Sequence, residues 1–234
     1  MNDLCFASVV TADYFRCARV MLYSLIANGK ITNGSIPFYI FHDADFDADM
    51  KKELRNIYPG TEFRLVDVER MGQYKKVNPK YWSIEAFRMY NFKKTIFLDA
   101  DLLIVGDISG LAKTGNDISM VHEIRRDCFN AGVIVIDRDG ISEFIYDALM
   151  KTHKKQNEFG HDQWIYNQAF KGCINGLDQK YNTLLSELPD DVSDVRIFHY
   201  IYKPDRESGK EQMPEDYGIL WAQYEMMMNE GARA

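Results

Sequence analysis

The run Thr95-Ile96-Phe97-Leu98-Asp99-Ala100-Asp101-Leu102-Leu103-Ile104-Val105 constrains the fold more than any other stretch of the chain. It is almost continuously apolar, and such a run reads as a strand buried on both faces, as in a parallel sheet covered by helices. Two carboxylates interrupt it, and an ionised Asp in that setting is costly unless something pairs with it. Asp99 and Asp101 are two residues apart, so in an extended chain both point to one side. The natural partner for two hard, same-side carboxylates is a divalent cation such as Mg²⁺ or Mn²⁺. The bland alternative is a strand that ends at Leu98, followed by a solvated Asp-Ala-Asp turn. The immediate return of the apolar run argues against it.

The segments before this run alternate strand and helix. Residues 4–10 are apolar and β-prone, and Thr11-Ala12-Asp13 offers turn and helix-cap chemistry. Val20, Leu22, Leu25 and Ile26 predict a helix over residues 14–28, ended by Gly29. A strand over 36–41, a helix over 47–58 stopped by Pro59-Gly60, and a strand over 62–68 follow. Residues 70–80 read as a polar loop, and 82–92 as a helix feeding the Asp99/Asp101 strand. This β-α-β-α-β start implies parallel strands joined by crossovers, a Rossmann-like half. Ligands in such sheets sit beyond the C-terminal strand ends, where Thr11, Asp13 and the Asp99/Asp101 pair fall. Later strands are expected over 118–121, 132–136 and 195–201, and helices over 141–151, 163–170 and 217–229, with a charged loop at 203–215.

At 234 residues, with 46% hydrophobic and 13% aromatic content, the chain suits a single α/β domain with an ample core. A net charge of −7 and the lack of a basic stripe with interleaved aromatics argue against a nucleic-acid partner. Cys5, Cys17, Cys128 and Cys173 form no C-x-x-C pair and read as reduced thiols of a cytoplasmic protein. The N-terminus reads as a strand and not as a secretory signal, and no apolar run approaches the roughly 20 residues of a transmembrane segment.

Several segments together resemble one family, the glycogenin-like retaining glycosyltransferases, whose bacterial members build lipopolysaccharide or capsule. Phe97-Leu98-Asp99-Ala100-Asp101 matches its D-x-D, and Phe129-Asn130-Ala131-Gly132-Val133 its F-N-S-G-V. Asp162-Gln163 with Asn167 matches its D-Q-x-x-x-N, and His199 followed by Lys203-Pro204 its H…K-P. The matches run in family order and span residues 4–204. The resemblance implies a single GT-A domain, a Rossmann-like mixed central sheet flanked by helices. Its nucleotide-sugar half would cover about 1–105 and its acceptor half about 106–204, with a C-terminal loop and helix at 205–234.

The resemblance also implies roles. Asp99, Asp101 and His199 would hold Mn²⁺ or Mg²⁺, which bridges the diphosphate of a UDP-hexose donor. Val10, Thr11 and Tyr14 match the segment that holds uracil and ribose, and Ala100 and Ala131 belong to donor-contacting motifs. Asn130 would hydrogen-bond the sugar, Gly132 would allow close backbone approach, and Asp162 and Gln163 would lie near the anomeric carbon. Lys203 would neutralise the departing diphosphate. Each has a plainer reading: a core histidine, a solvated lysine, a turn at Asn130, a helix N-cap at Asp162, helix-to-sheet packing by Tyr14. The acceptor would be a glycan or lipid-linked group, with peripheral contact to the inner membrane face.

Departures from the pattern concentrate on the phosphate side. Ser83 stands where the family carries Lys or Arg, Ala131 replaces the donor-contacting Ser, the His-to-Lys spacing is short and lacks its glycine, and Asp205 stands where Trp often follows Lys-Pro. A nucleotidyltransferase would need a glycine-rich basic loop, yet residues 8–16 contain no glycine and only Arg16. An inactive sugar-nucleotide-binding or scaffolding protein of the same fold is the remaining alternative.

Overall fold

The computed structural model describes residues 2–31, 34–69, 79–115, 117–137, 142–154, 162–201 and 214–231. Strands β1 (Asn2–Val9), β2 (Phe38–His42) and β3 (Thr61–Leu65) alternate with helices α1 (Phe15–Asn28) and α2 (Ala48–Ile57). β4 (Phe92–Leu98), β5 (Leu102–Ile104), α3 (Ser109–Lys113), β6 (Ile118–Glu123) and β7 (Cys128–Asp137) follow. The remainder comprises α4 (Glu143–Lys154), α5 (Asp162–Ala169), β8 (Asn175–Leu177), β9 (Thr183–Leu184), β10 (Ile197–His199) and α6 (Glu215–Gly231).

Among the described residues the large sheet has seven strands in the order β3-β2-β1-β4-β7-β6-β8. The four strands from β3 to β4 are mutually parallel, β7 is antiparallel to both β4 and β6, and β8 pairs parallel with β6. The sheet is therefore mixed and helix-flanked, as expected. Alternation along the central strands fills two cores. Ile96, Leu98, Val133 and Val135 pack with Leu22 and Leu25 of α1, while Phe97, Ile134 and Ile136 pack with Phe87, Tyr146 and Tyr166 on the other face. The Asp47 side chain caps α2 by accepting from the Met50 N–H at 2.8 Å.

Two expectations are corrected. The segment at 82–92 is no α-helix: residues Pro79–Arg88 wind as 3₁₀ turns. Tyr81, Trp82, Ser83, Ile84, Ala86 and Phe87 are all buried, so the segment plugs the core on every side, which a one-faced helix cannot do. The 95–105 run is not one strand either. It splits into β4 in the large sheet and β5 in a second sheet of order β5-β10-β9, with β10 antiparallel to β5. α6 closes this second sheet, with Trp221 edge-on to Tyr200 at 4.7 Å and Glu225 ion-paired to Arg16 of α1 at 2.7 Å. α3, β8 and β9 are short elements without a distinct periodic signal.

Candidate active site

β4 stops at Leu98 because its ladder with β7 runs out there. One further backbone bond, Asp99 N–H to the Gly132 carbonyl at 2.9 Å, closes it before the chain turns. The chain resumes as β5, and the Asp101 carbonyl accepts from the Tyr200 N–H at 3.1 Å while Leu102 pairs with His199. These backbone bonds bring His199 beside both carboxylates. Its Nε2 lies 3.5 Å from Asp101 Oδ1 and 3.8 Å from Asp99 Oδ2. The chain thus turns after Leu98, and the turn is only half-covered: Asp101 is 7% exposed and His199 5%, while the Asp99 side chain is 36% exposed. Asp99, Asp101 and His199 each present a ligand atom within 4.8 Å of the others, a set that could hold a divalent cation.

A chain of buried amides lies behind the histidine. Asn130 Oδ1 accepts from the Gly132 N–H and from Asn182 Nδ2, each at 2.8 Å. Asn130 Nδ2 donates to Glu123 Oε2 and to Gln163 Oε1, each at 3.2 Å. A backbone N–H can only donate, so Gly132 fixes which end of the Asn130 amide is oxygen. Asn182 must then turn its NH₂ to Asn130 and its oxygen to His199 Nδ1, 2.9 Å away. The Nδ1 position therefore carries a proton, and Nε2 is the nitrogen that faces the two carboxylates. The pairing of β7 with β6 shifts between Met120 and Val121, a bulge that re-aims the Asn130–Gly132 corner. A Cβ on Gly132 would fall within 2.5 Å of His199 Nδ1 and closer still to Cε1, so the glycine makes room for the histidine.

Asp162 opens α5. Its Oδ1 accepts from the Gln163 N–H at 2.8 Å, and its Oδ2 accepts from the Ser83 hydroxyl at 2.7 Å. Since Ser83 donates to Asp162, it accepts from the Tyr166 hydroxyl at 2.6 Å. Burial, with the Asp162 carboxylate nearby, pushes the Tyr166 phenol well above its ordinary pKa, so it remains a donor. The hydroxyl that replaces the family's phosphate-side cation is therefore engaged in holding Asp162. Gln163 donates to Glu123 Oε2 at 3.1 Å and to Cys128 Sγ at 3.0 Å. Glu123 Oε1 takes Arg126 Nε at 3.1 Å, and burial raises the Cys128 thiol.

Part of this network lines a cavity of about 370 Å³, the size of a small-molecule site. Of the residues read from the sequence, Thr11, Tyr14, Asp99, Ala100, Asp101, Asn130, Ala131, Asp162, Gln163 and His199 line it. Val10 does not. Its side chain is fully buried in the α1-side core, its N–H bonds the Phe41 carbonyl, and Val9 faces the cavity instead. Lys203 lies outside the described residues. Sequence reasoning missed Glu123, Arg126 and Asn182. Glu123 could have been found as the polar end of the β6 run, whereas Asn182 carries no signal.

Ile201 also lines the cavity, with a φ of 60°. A β-branched residue in this left-handed region is costly, roughly 1–2 kcal/mol. Glycine accepts it freely but frees the unfolded chain by roughly 0.5–1 kcal/mol. Ile201→Gly is therefore expected to leave the denaturation midpoint unchanged or slightly raised. A loss above about 1 kcal/mol in urea titration would show that packing at Ile201 outweighs the strain.

Residues 5–206 match the model of Glycosyl transferase family 8. Glycogenin-1 of Mus musculus is 22% identical over 210 residues, which cover 86% of this chain and 60% of that protein. The glycosyltransferase GlyE of Streptococcus pneumoniae is 30% identical over 100 residues, 38% of this chain and 24% of GlyE. The chain thus spans about 60% of the first of these relatives. Among solved structures, the galactosyltransferase LgtC in complex with donor and acceptor sugar analogs superposes with a TM-score of 0.75 at 16% identity, covering 95% of both chains. Apo GlyE gives 0.73 at 20% identity, covering 98% of this chain and 63% of GlyE. The last two likenesses show a shared fold, the GT-A architecture, and the family match over most of the chain shows membership: the chain belongs to glycosyl transferase family 8.

Proposed function

We propose that the chain is a metal-dependent, retaining hexosyltransferase that moves a hexose from a UDP-sugar to a glycan, lipid-linked or protein acceptor. One observation carries this reading: His199 Nε2 faces Asp101 and Asp99 at 3.5 and 3.8 Å. The two carboxylates repel one another, and a divalent cation turns that repulsion into attraction. The two-carboxylate, one-imidazole set suits Mn²⁺ or Mg²⁺. Bound there, the cation supplies Lewis-acid stabilisation of the departing diphosphate.

In this reading Thr11, Tyr14 and the backbone at Val10 hold the nucleoside, and Ala100 and Ala131 wall the donor. Asn130, Asp162 and Gln163 face the sugar, and Lys203 adds positive charge as the diphosphate leaves. Residues 1–105 form the nucleotide-sugar half, 106–204 the acceptor half, and 205–234 an appended loop and helix. Attack from the same face as the departing phosphate is favoured over a covalent adduct. Asp162 accepts two hydrogen bonds that stabilise its anion and blunt it as a nucleophile, and the Gln163 amide is engaged at both ends. No helix among the described residues is long and apolar enough to cross a membrane. A cytoplasmic location, with acceptors reached at the inner membrane face, belongs to this proposal and draws on the family resemblance and the free cysteines.

Thermal shift tests the reading without an acceptor, because a ligand that binds the native state raises the melting temperature by mass action. UDP, UDP-glucose, UDP-galactose, UDP-N-acetylhexosamines, CMP and GDP-mannose are compared in Mn²⁺ and in EDTA. Stabilisation by UDP compounds in Mn²⁺ only is the expected result. The absence of any UDP response would favour a scaffolding role.

A further inference from the structure

We propose that Asn182, itself oriented by Asn130, is the positioning residue that fixes the orientation and tautomer of His199, tying the cation site to the sugar-facing groups. The inference rests on the proposed cation site. Asn182 stands between the 3₁₀ turn Gln179–Tyr181 and β9, in the small-sheet layer, and is 1% exposed. It reaches His199 of β10 on one side and Asn130 of β7 in the large sheet on the other. Beyond Asn130 the bonds continue to Glu123 and Gln163.

Every orientation in this line follows from two anchors. The Gly132 N–H demands an acceptor from Asn130, and the Glu123 carboxylate demands a donor from its other end. With Asn130 fixed at both ends, Asn182 has one satisfiable orientation, and that orientation makes the His199 Nδ1 carry its proton. Without Asn182, His199 Nδ1–H would be buried without its acceptor. The ring would then gain by moving the proton to Nε2, where Asp99 and Asp101 accept it, and a protonated Nε2 cannot ligate a cation. Partners behind a ligating imidazole typically contribute about 10–100-fold in metal affinity.

Two variants separate this role from plain packing. Asn182→Leu keeps the volume and removes both bonds. Asn182→Asp keeps an oxygen for His199 Nδ1–H, loses the donor to Asn130 and sets a carboxylate oxygen against Asn130 Oδ1. Mn²⁺ affinity, measured by electron paramagnetic resonance of free Mn²⁺ with saturating UDP, is expected to fall about 10–100-fold in Asn182→Leu. In Asn182→Asp it should stay within about threefold of wild type or rise, since a carboxylate behind the imidazole strengthens the ligand. Two-bond ¹H–¹⁵N spectra of the metal-free protein, taken at a pH where the imidazole is neutral, should show His199 as the Nδ1–H tautomer in wild type and mainly Nε2–H in Asn182→Leu. Unchanged Mn²⁺ affinity and tautomer in Asn182→Leu would overturn the inference, as would equal losses in both variants. A wild type that binds no Mn²⁺ would instead remove the cation site itself, while the tautomer spectra would still read the role of Asn182.

Discussion

Gly132→Ala is expected to lose the Mn²⁺-dependent response to UDP while the chain still folds. The added methyl would lie within 2.5 Å of His199 Nδ1 and 3.1 Å from Asn130 Oδ1, where His199 is buried and held by Asn182. The imidazole must swing away from Asp99 and Asp101, so the cation site loses its nitrogen ligand. Overpacking a core position by one methyl costs about 1–3 kcal/mol. In a chain of this size that lowers the melting temperature by about 2–4 °C per kcal/mol. Turnover of UDP-sugar should fall by at least about 100-fold, near 3 kcal/mol of barrier. Shortening the histidine in Gly132→Ala/His199→Ala should recover much of the lost stability without restoring the metal response, a non-additivity expected only of touching residues. Full Mn²⁺ dependence in Gly132→Ala would refute the assignment of His199 as a ligand.

Asp101→Asn should have the opposite signature in stability and a similar one in function. The side chain is buried beside a second carboxylate, so a neutral isostere removes like-charge repulsion at almost no cost in volume. In EDTA the melting temperature should hold or rise, as is common where active sites store unfavourable charge. In Mn²⁺ the stabilisation by UDP should vanish, and turnover should drop about 10³-fold or more, about 4 kcal/mol. A variant that keeps full nucleotide affinity and turnover in Mn²⁺ would show that Asp101 is no ligand. A lower melting temperature in EDTA would mean that the carboxylate has a structural partner stronger than its repulsion from Asp99.

The glycine illustrates how the site divides between what was readable and what was not. Gly132 stood out within Phe-Asn-Ala-Gly-Val as a place of close approach, with the sugar as the expected neighbour. The nearest neighbour of its missing side chain is His199, 67 positions along the chain, brought there by pairing of β10 with β5. Ser83 likewise read as a missing cation, and in the fold it is part of the support for Asp162.

Local order in the chain sufficed for the alternation of strands and helices through α2, the α/β class, and the same-side pairing of Asp99 and Asp101, whereas the mixed sheet and the roles of Asp162, Gln163 and His199 were implied by the family resemblance. Hydrophobic periodicity and residue chemistry are properties of neighbours in sequence, and they survive folding. The break of the 95–105 run into two sheets, the outward Val9 and inward Val10, the all-round burial of residues 79–88, and the Glu123–Asn130–Asn182–His199 line were decided by tertiary structure. An apolar strand is equally content to continue or to change partners. Only the availability of β7 on one side of Asp99 and β10 on the other selects the turn, because backbone hydrogen bonds and buried amides are satisfied by partners distant in sequence.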